Sequence, residues 1–236
     1  MSRPLIIDRP QALRGIVAIP VRTPIVYPHT DFLTVVSQAV RGIARSGDVV
    51  AVSETALAIA QGQTLAAQAV RPSKLAHFIC RHAAPLATVN QPESLQIVID
   101  RVGAPKVVFA CLLQVLGRVV GQRGLFYRVM GSAITAIDGY TGTMPPFDRF
   151  IVFEPHEPNT FAQSFFDRSG IDCAVVDAND LAPAKVLGAS RNVDGDAVAH
   201  ALDDNPHGNS DEQTPIVVLK WRAQGLNPLL RNDDPA

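Results

Sequence analysis

Apolar residues along this chain follow two rhythms, and their alternation predicts its elements. Short runs rich in valine and isoleucine occur at Gly15 to Val21, Val49 to Val52, Cys173 to Val176 and Pro215 to Lys220. They predict strands, because β-branched side chains fit a pleated, buried surface. Between them, apolar residues recur every three or four positions, as a helix face requires. Thr23 to Pro28 reads as a stiff extended segment. Thr30 or Asp31 then caps a helix with Phe32, Val35, Val36, Ala39, Val40 and Ile43 on one stripe, ended by Ser46-Gly47-Asp48. Ser53-Glu54-Thr55 opens a short alanine-rich helix closed by Gly62. Further helices are predicted from Pro72 through His77 and Cys80, over Glu93 to Arg101, Phe161 to Asp167, and Asp194 to Leu202. Lys106 to Ala110 and Leu125 to Arg128 suggest strands, and residues 140–159, with four prolines, predict a long surface loop.

Alternating strands and helices predict an α/β or α+β fold of mixed sheets with packed helices. The expected organisation is an N-terminal extension over 1–14, one domain over 15–222 and a tail over 223–236. No repeat of 20 to 50 residues is apparent.

Composition narrows the function. With 47% hydrophobic and 18% charged residues, the chain is globular rather than disordered. Its formal net charge of −1 offers no bulk basic field for nucleic acid or an anionic membrane. The most apolar stretch, Val107 to Leu116, is about half the roughly 20 residues that span a bilayer. Cys80, Cys111 and Cys173 are odd in number and lack CxxC pairing, so neither a disulfide framework nor a zinc knuckle is expected. The N-terminus carries charge too early for a signal peptide, and a cytoplasmic location is expected.

Three acidic clusters sit at the margins of predicted strands: Asp138 after Ala136-Ile137, Asp177-Ala178-Asn179-Asp180 after Val175-Val176, and Asn209-Ser210-Asp211-Glu212 before Pro215. Converging carboxylates at strand ends form a hard-cation site suited to Mg2+ or Mn2+, and without a cation they repel one another. The plainer reading is that these are turn residues, since Asp and Asn favour turns. The loop from Gly208 through Gln213 and Thr214 to Pro215 adds backbone N–H groups able to hold phosphate oxygens. No GxxxxGK[ST] or GxGxxG motif occurs, and His77, Cys80 and His82 do not share one helix face.

The order of these segments resembles the coenzyme F-420-0:L-glutamate ligase family, the γ-glutamyl ligases of deazaflavin cofactor synthesis, over roughly Gly15 to Trp221. Ile19-Pro20-Val21-Arg22-Thr23-Pro24-Ile25-Val26 is similar to the family's nucleotide-contacting loop, and Ser46 through Gly62 to its strand and helix. The resemblance implies nucleotide contacts at Thr23, Pro24, Ile25, Val26, Thr141, Gly208, Ser210, Gln213 and Thr214. It also implies metal ligation by Asp138 and Asp177, with Asn209 as a further polar ligand, and the acidic cluster adds Asp211. The chain departs from the family where Ile59 replaces a nucleotide-binding lysine, Ala178 a hydroxyl residue, Thr141 an asparagine and Asp180 a glycine.

What the resemblance implies is a ligase that uses GTP or ATP with Mg2+ or Mn2+. It would join L-glutamate to an acceptor carboxylate through an acyl phosphate, as an intertwined homodimer with no nucleic-acid or membrane partner. Arg22, Lys185 and Arg191 are candidates for gripping phosphates or carboxylates. Two rival readings stand beside it: a homologue that binds nucleotide and metal without ligating, and a metal-dependent phosphohydrolase.

Overall fold

A computed structural model describes residues 15–82, 91–119, 121–122, 124–131, 137–138, 145–179, 182–208, 212–222 and 227–231. In chain order the elements are β1 (Ile16–Val21), α1 (Phe32–Ala39), β2 (Val49–Ser53), α2 (Glu54–Ala60), β3 (Thr64–Ala66), α3 (Lys74–His82), α4 (Pro92–Val102), α5 (Ala104–Val119) and α6 (Leu125–Met130). They continue with β4 (Ile137–Asp138), β5 (Phe150–Phe153), α7 (Pro158–Ser169), β6 (Asp172–Asn179), β7 (Ala182–Ala189), α8 (Gly195–Ala201) and β8 (Ile216–Trp221). The result is the expected mixed α/β architecture. It divides into two compact units, residues 1–63 with 155–236, and residues 64–154.

The first unit is built on a five-stranded sheet in the order β1-β8-β2-β6-β7. β2 and β6 run parallel, and the other neighbours are antiparallel. Val49, Val50, Ala51 and Val52 are all buried, as expected of a central strand covered on both faces. On one face, Val49, Ala51, Ala174, Val176, Val217 and Leu219 pack with Val198 and Ala201 of α8 and with Leu202 and Leu229. α7 packs on β6 and β7 and contributes the fully buried Phe165. Asp31 caps α1, accepting from the Thr34 N–H at 3.1 Å, and Asp194 caps α8, accepting from Ala197 N–H at 3.0 Å. α1 stops at Ala39, short of the predicted Ile43, because the backbone turns over residues 40–44.

Gly188 sets how closely α7 approaches β7. A Cβ there would lie 2.4 Å from the Asn159 amide nitrogen and 2.5 Å from the Pro158 carbonyl carbon. Backbone cannot swing aside as a flexible side chain can, so Gly188→Ala is expected to cost roughly 1–3 kcal/mol. A lowered midpoint in urea unfolding would show it, and an unchanged midpoint would mean that the helix is free to retreat.

The second unit pairs an antiparallel sheet, β3-β5-β4, with α3 to α6. Its core holds Ala76, Cys80, Leu95, Val98, Ile99, Val107, Ala110, Phe126, Met130 and Ile151. Here two expectations are corrected. Lys106 to Ala110 and Leu125 to Arg128 are helical, within α5 and α6. Their β-branched and aromatic residues point to strands locally, but burial follows the helical period, with Val107, Ala110 and Gly117 inward on α5 and Phe126 and Met130 on α6. The predicted loop over 140–159 is also corrected in part: β5 lies inside it, and α7 begins at Pro158, where a proline suits the first helical turn. β3 and β7 were not foreseen.

Candidate functional site

The sheet of the first unit has one edge to which several of the expected residues come. Its register places Val21, Ile216, Val52 and Val175 in one row across four adjacent strands. Just beyond that row lie Arg22 and Thr23 after β1, Thr214 and Pro215 before β8, Ser53 at the end of β2, and Asp177 on β6. β1 and β6 are three strand spacings apart, roughly 14 Å. Residues far apart in sequence thus line one edge of a rigid scaffold.

Two backbone hydrogen bonds and one from a side chain tie the segment before β8 to this edge. Thr23 N–H donates to Gln213 O at 3.1 Å, Ser53 N–H to Pro215 O at 2.8 Å, and Arg22 Nε to Glu212 O at 2.8 Å. Thr23 is buried, and its hydroxyl donates to Pro24 O at 2.9 Å. Ile25 is half-buried and Val26 buried. Gly208 has φ +76°, and a Cβ on it would fall 2.6 Å from Glu212 Cδ, so the Glu212 side chain folds back over a position that only glycine leaves open. Gln213 also has a positive φ, 54°.

His207 was not singled out from the sequence, yet it closes this loop. Its Nδ1 lies 3.0 Å from Thr214 O and must be the donor, since a carbonyl only accepts. The Thr214 hydroxyl in turn donates to His207 O. Burial holds the His207 imidazole below the usual histidine range, partly offset by its bond to Thr214. The neutral ring with its proton on Nδ1 follows. No local pattern reveals a clasp between residues seven apart.

Asp177 is half-buried, accepts from Asn179 Nδ2 at 3.1 Å and stands opposite Lys185 across β6 and β7. Lys185 is exposed beside this edge, whereas Arg191 follows the opposite end of β7 and so does not join it. Asp138 ends β4, paired with Val152, and belongs to the second unit. Thr141, Asn209, Ser210 and Asp211 lie outside the described residues, and so does Asp180. Among the described residues, no group of three or more His, Cys, Asp or Glu is placed to hold a metal ion. The expected ligand set, Asp138, Asp177, Asn209 and Asp211, is all oxygen and therefore of a kind that fits Mg2+ or Mn2+. Asp177 fits such a role, because a carboxylate that accepts one hydrogen bond retains acceptor capacity.

Thiol chemistry has no support here. All three cysteines are free, and burial pushes the Cys80 thiol up to about 11 and the Cys173 thiol higher still. Thiols so shifted hold almost no thiolate near neutrality. Ile59, at the position of the family lysine, is buried in α2.

Residues 20–164 match the sequence model of a family described as F420-0:Gamma-glutamyl ligase, over more than half of the chain. No match was found among curated proteins.

Proposed function

The chain belongs to the F420-0:gamma-glutamyl ligase family, and from that premise we propose that it joins the amine of L-glutamate to an acceptor carboxylate at the expense of GTP or ATP. A carboxylate is a poor electrophile because its charge is delocalised and oxide is a poor leaving group. Transfer of the γ-phosphoryl group to an acceptor oxygen gives an acyl phosphate and releases the nucleoside diphosphate. The glutamate nitrogen then attacks the acyl carbon, the C–O bond to phosphate breaks, and the amine's protons pass to phosphate and solvent. Most of the catalytic demand is positioning and charge stabilisation.

The observation that carries this reading is the shared sheet edge. Thr23 with Pro24, Ile25 and Val26, and Gly208, Gln213 and Thr214, would supply the nucleotide contacts on one side of it, and Asp177 stands on the other. Asp177 would hold Mg2+ or Mn2+, which supplies neutralising charge beside the phosphates, and the family resemblance extends a metal role to Asp138, Asn209 and Asp211. Arg22 and Lys185 are the cations of that edge available to grip phosphate or carboxylate groups.

Nucleotide turnover tests the assignment. Diphosphate release that requires both L-glutamate and an acceptor carboxylate is expected. Release without either would instead identify a phosphohydrolase. Tight nucleotide binding with no turnover would identify a binding protein, a reading favoured by the buried Ile59 in place of the family lysine.

The late loop gives a second, independent check. Glu212 lies against Gly208, and a carboxylate a few ångströms from phosphate repels it by roughly 1 to 4 kcal/mol per unit charge pair, depending on the local dielectric. Amide exchange at Gly208, Gln213 and Thr214 is therefore expected to slow only when nucleotide and Mg2+ or Mn2+ are present together. Equal protection by nucleotide with a chelator would detach the loop from the metal.

The expected homodimer has a face to support it. On α5, Val108, Phe109, Leu112, Val115 and Leu116 are exposed, with Leu116 at 62%. They form one helical stripe, and the exposed Lys106 and Arg118 flank it on either side. Fully buried aromatic side chains cover roughly 150–250 Å² each, so five large apolar residues open to this extent amount to several hundred Å². That is about half of the ~800 Å² that one partner contributes to a standard interface. We assign this face to a second copy of the chain. Among the described residues, no helix is long and apolar enough to cross a membrane.

A further inference from the structure

Four successive carbonyls before β8 are each held by a different donor. Arg22 Nε donates to Glu212 O at 2.8 Å, Thr23 N–H to Gln213 O at 3.1 Å, His207 Nδ1 to Thr214 O at 3.0 Å, and Ser53 N–H to Pro215 O at 2.8 Å. Arg22, Thr23 and Ser53 stand at the ends of β1 and β2. His207 alone comes from the loop's own start.

These bonds fix the direction of the amides between them. In a planar trans peptide the C=O and the next N–H point opposite ways, so holding Glu212 O and Gln213 O aims the N–H groups of Gln213 and Thr214. Neither N–H finds an acceptor among the described residues. Gln213 has φ 54°, where residues other than glycine are uncommon. Such a conformation persists where its surroundings over-determine it, and it recurs at ligand clamps. Consecutive N–H groups held in place are donors for an oxyanion.

His207 has a particular part in this. Thr214 precedes a proline, so the peptide between them has no N–H by which a neighbour could hold it. Its carbonyl is the remaining handle. His207 Nδ1 takes that carbonyl, and the Thr214 hydroxyl donates back to His207 O. Both peptide planes that flank the Thr214 Cα are then fixed, one by Thr23 and one by His207. The histidine is 8% exposed, and its Nε2 has no hydrogen-bond partner among the described residues. A buried polar atom left unpaired is unfavourable, so stability alone does not account for an imidazole here.

We propose that His207 is a positioning residue for nucleotide binding: by clamping Thr214 O, it presets the Gln213 and Thr214 N–H groups to receive phosphate oxygens. The inference rests on the ligase reading and adds to it a residue that acts through Thr214 rather than by touching phosphate. Its contribution is made in the bound nucleotide before and during transfer alike. Its loss therefore raises the KM for nucleotide and leaves kcat nearly unchanged.

Three variants of the full-length protein test this. In His207→Asn the side-chain nitrogen sits on Cγ as Nδ1 does, so the donor is kept and the unpaired Nε2 is removed. His207→Leu keeps apolar bulk and loses the donor. Thr214→Val removes only the returning hydroxyl bond at nearly constant shape, and decides the matter should His207→Leu fail to fold. Nucleotide kinetics, calorimetric titration with GTP and with ATP in the presence of manganese, and ligand-free amide exchange at Thr23 are compared with the parent. His207→Leu is expected to raise KM and Kd at least tenfold with kcat within about threefold, and to speed exchange at Thr23, whose N–H bonds Gln213 O. Thr214→Val should move both in the same direction by less, and His207→Asn should stay near the parent. A parent that binds neither nucleotide sinks the ligase reading and this inference with it. A parent that binds, with His207→Leu and Thr214→Val binding equally well, overturns this inference alone. So does a fall in kcat at constant KM, faster exchange at Thr23 with unchanged affinity, or a loss in His207→Asn as large as in His207→Leu.

Discussion

Asp177→Asn is expected to remove divalent-ion affinity and lower glutamate-dependent nucleotide turnover by at least a hundredfold, with the fold intact. The substitution keeps a side-chain oxygen able to accept from Asn179, as the carboxylate does at 3.1 Å. It removes the negative charge, and a neutral amide oxygen is a much weaker ligand for a hard cation than a carboxylate. The structural cost is small. Asp177 is half-buried near the end of β6, and its charged cross-strand neighbour is Lys185. Such a pair contributes roughly 0.2–1 kcal/mol, so the urea midpoint should move little. Calorimetric titration with manganese checks the first claim, and undiminished affinity would remove Asp177 from the metal site.

Leu112→Glu is expected to convert a dimer into a monomer at micromolar concentration. Leu112 lies at the centre of the exposed stripe on α5 and is 58% exposed in the single chain. A carboxylate there meets water in the monomer and costs the fold little. In a face-to-face pairing of two copies, it would be buried without a partner, and an unpaired buried charge is among the most destabilising groups an interface can hold. Light scattering should give the mass of two chains for the parent and of one for the variant. A monomeric parent would refute the assignment of this face to a second copy.

Legibility in the sequence followed the local strength of each signal. β2 and β8 were readable because Val49-Val50-Ala51-Val52 and Ile216-Val217-Val218-Leu219 are unbroken apolar runs between turn signals, and the structure buries every one of them. Helix starts were readable where an aspartate caps them, as Asp31 and Asp194 do. The strands expected at Lys106 to Ala110 and Leu125 to Arg128 failed because β propensity describes a surface to be packed. Here the packing partners lie on neighbouring helices. β7 gave no warning, since Ala-Pro-Ala-Lys-Val-Leu-Gly-Ala has little strand character and is held by pairing with β6.

The candidate site was partly legible for a different reason. Asp177 was reached as a carboxylate at the margin of a predicted strand, Thr23 and Gln213 through the order of segments in a family pattern, and register then placed them at one sheet edge. The His207–Thr214 clasp was not reached at all. It joins residues whose proximity is created by loop closure, which no local periodicity encodes.

If this chain makes an amide bond to L-glutamate, its product is the most direct witness. The protein is incubated with GTP or ATP, manganese, isotopically labelled L-glutamate and a metabolite extract, and products are read by mass spectrometry. A labelled glutamyl conjugate is expected that forms only with nucleotide present and disappears with Asp177→Asn. Nucleotide consumed with no labelled conjugate in any extract, or a conjugate that forms equally well without nucleotide, would contradict it.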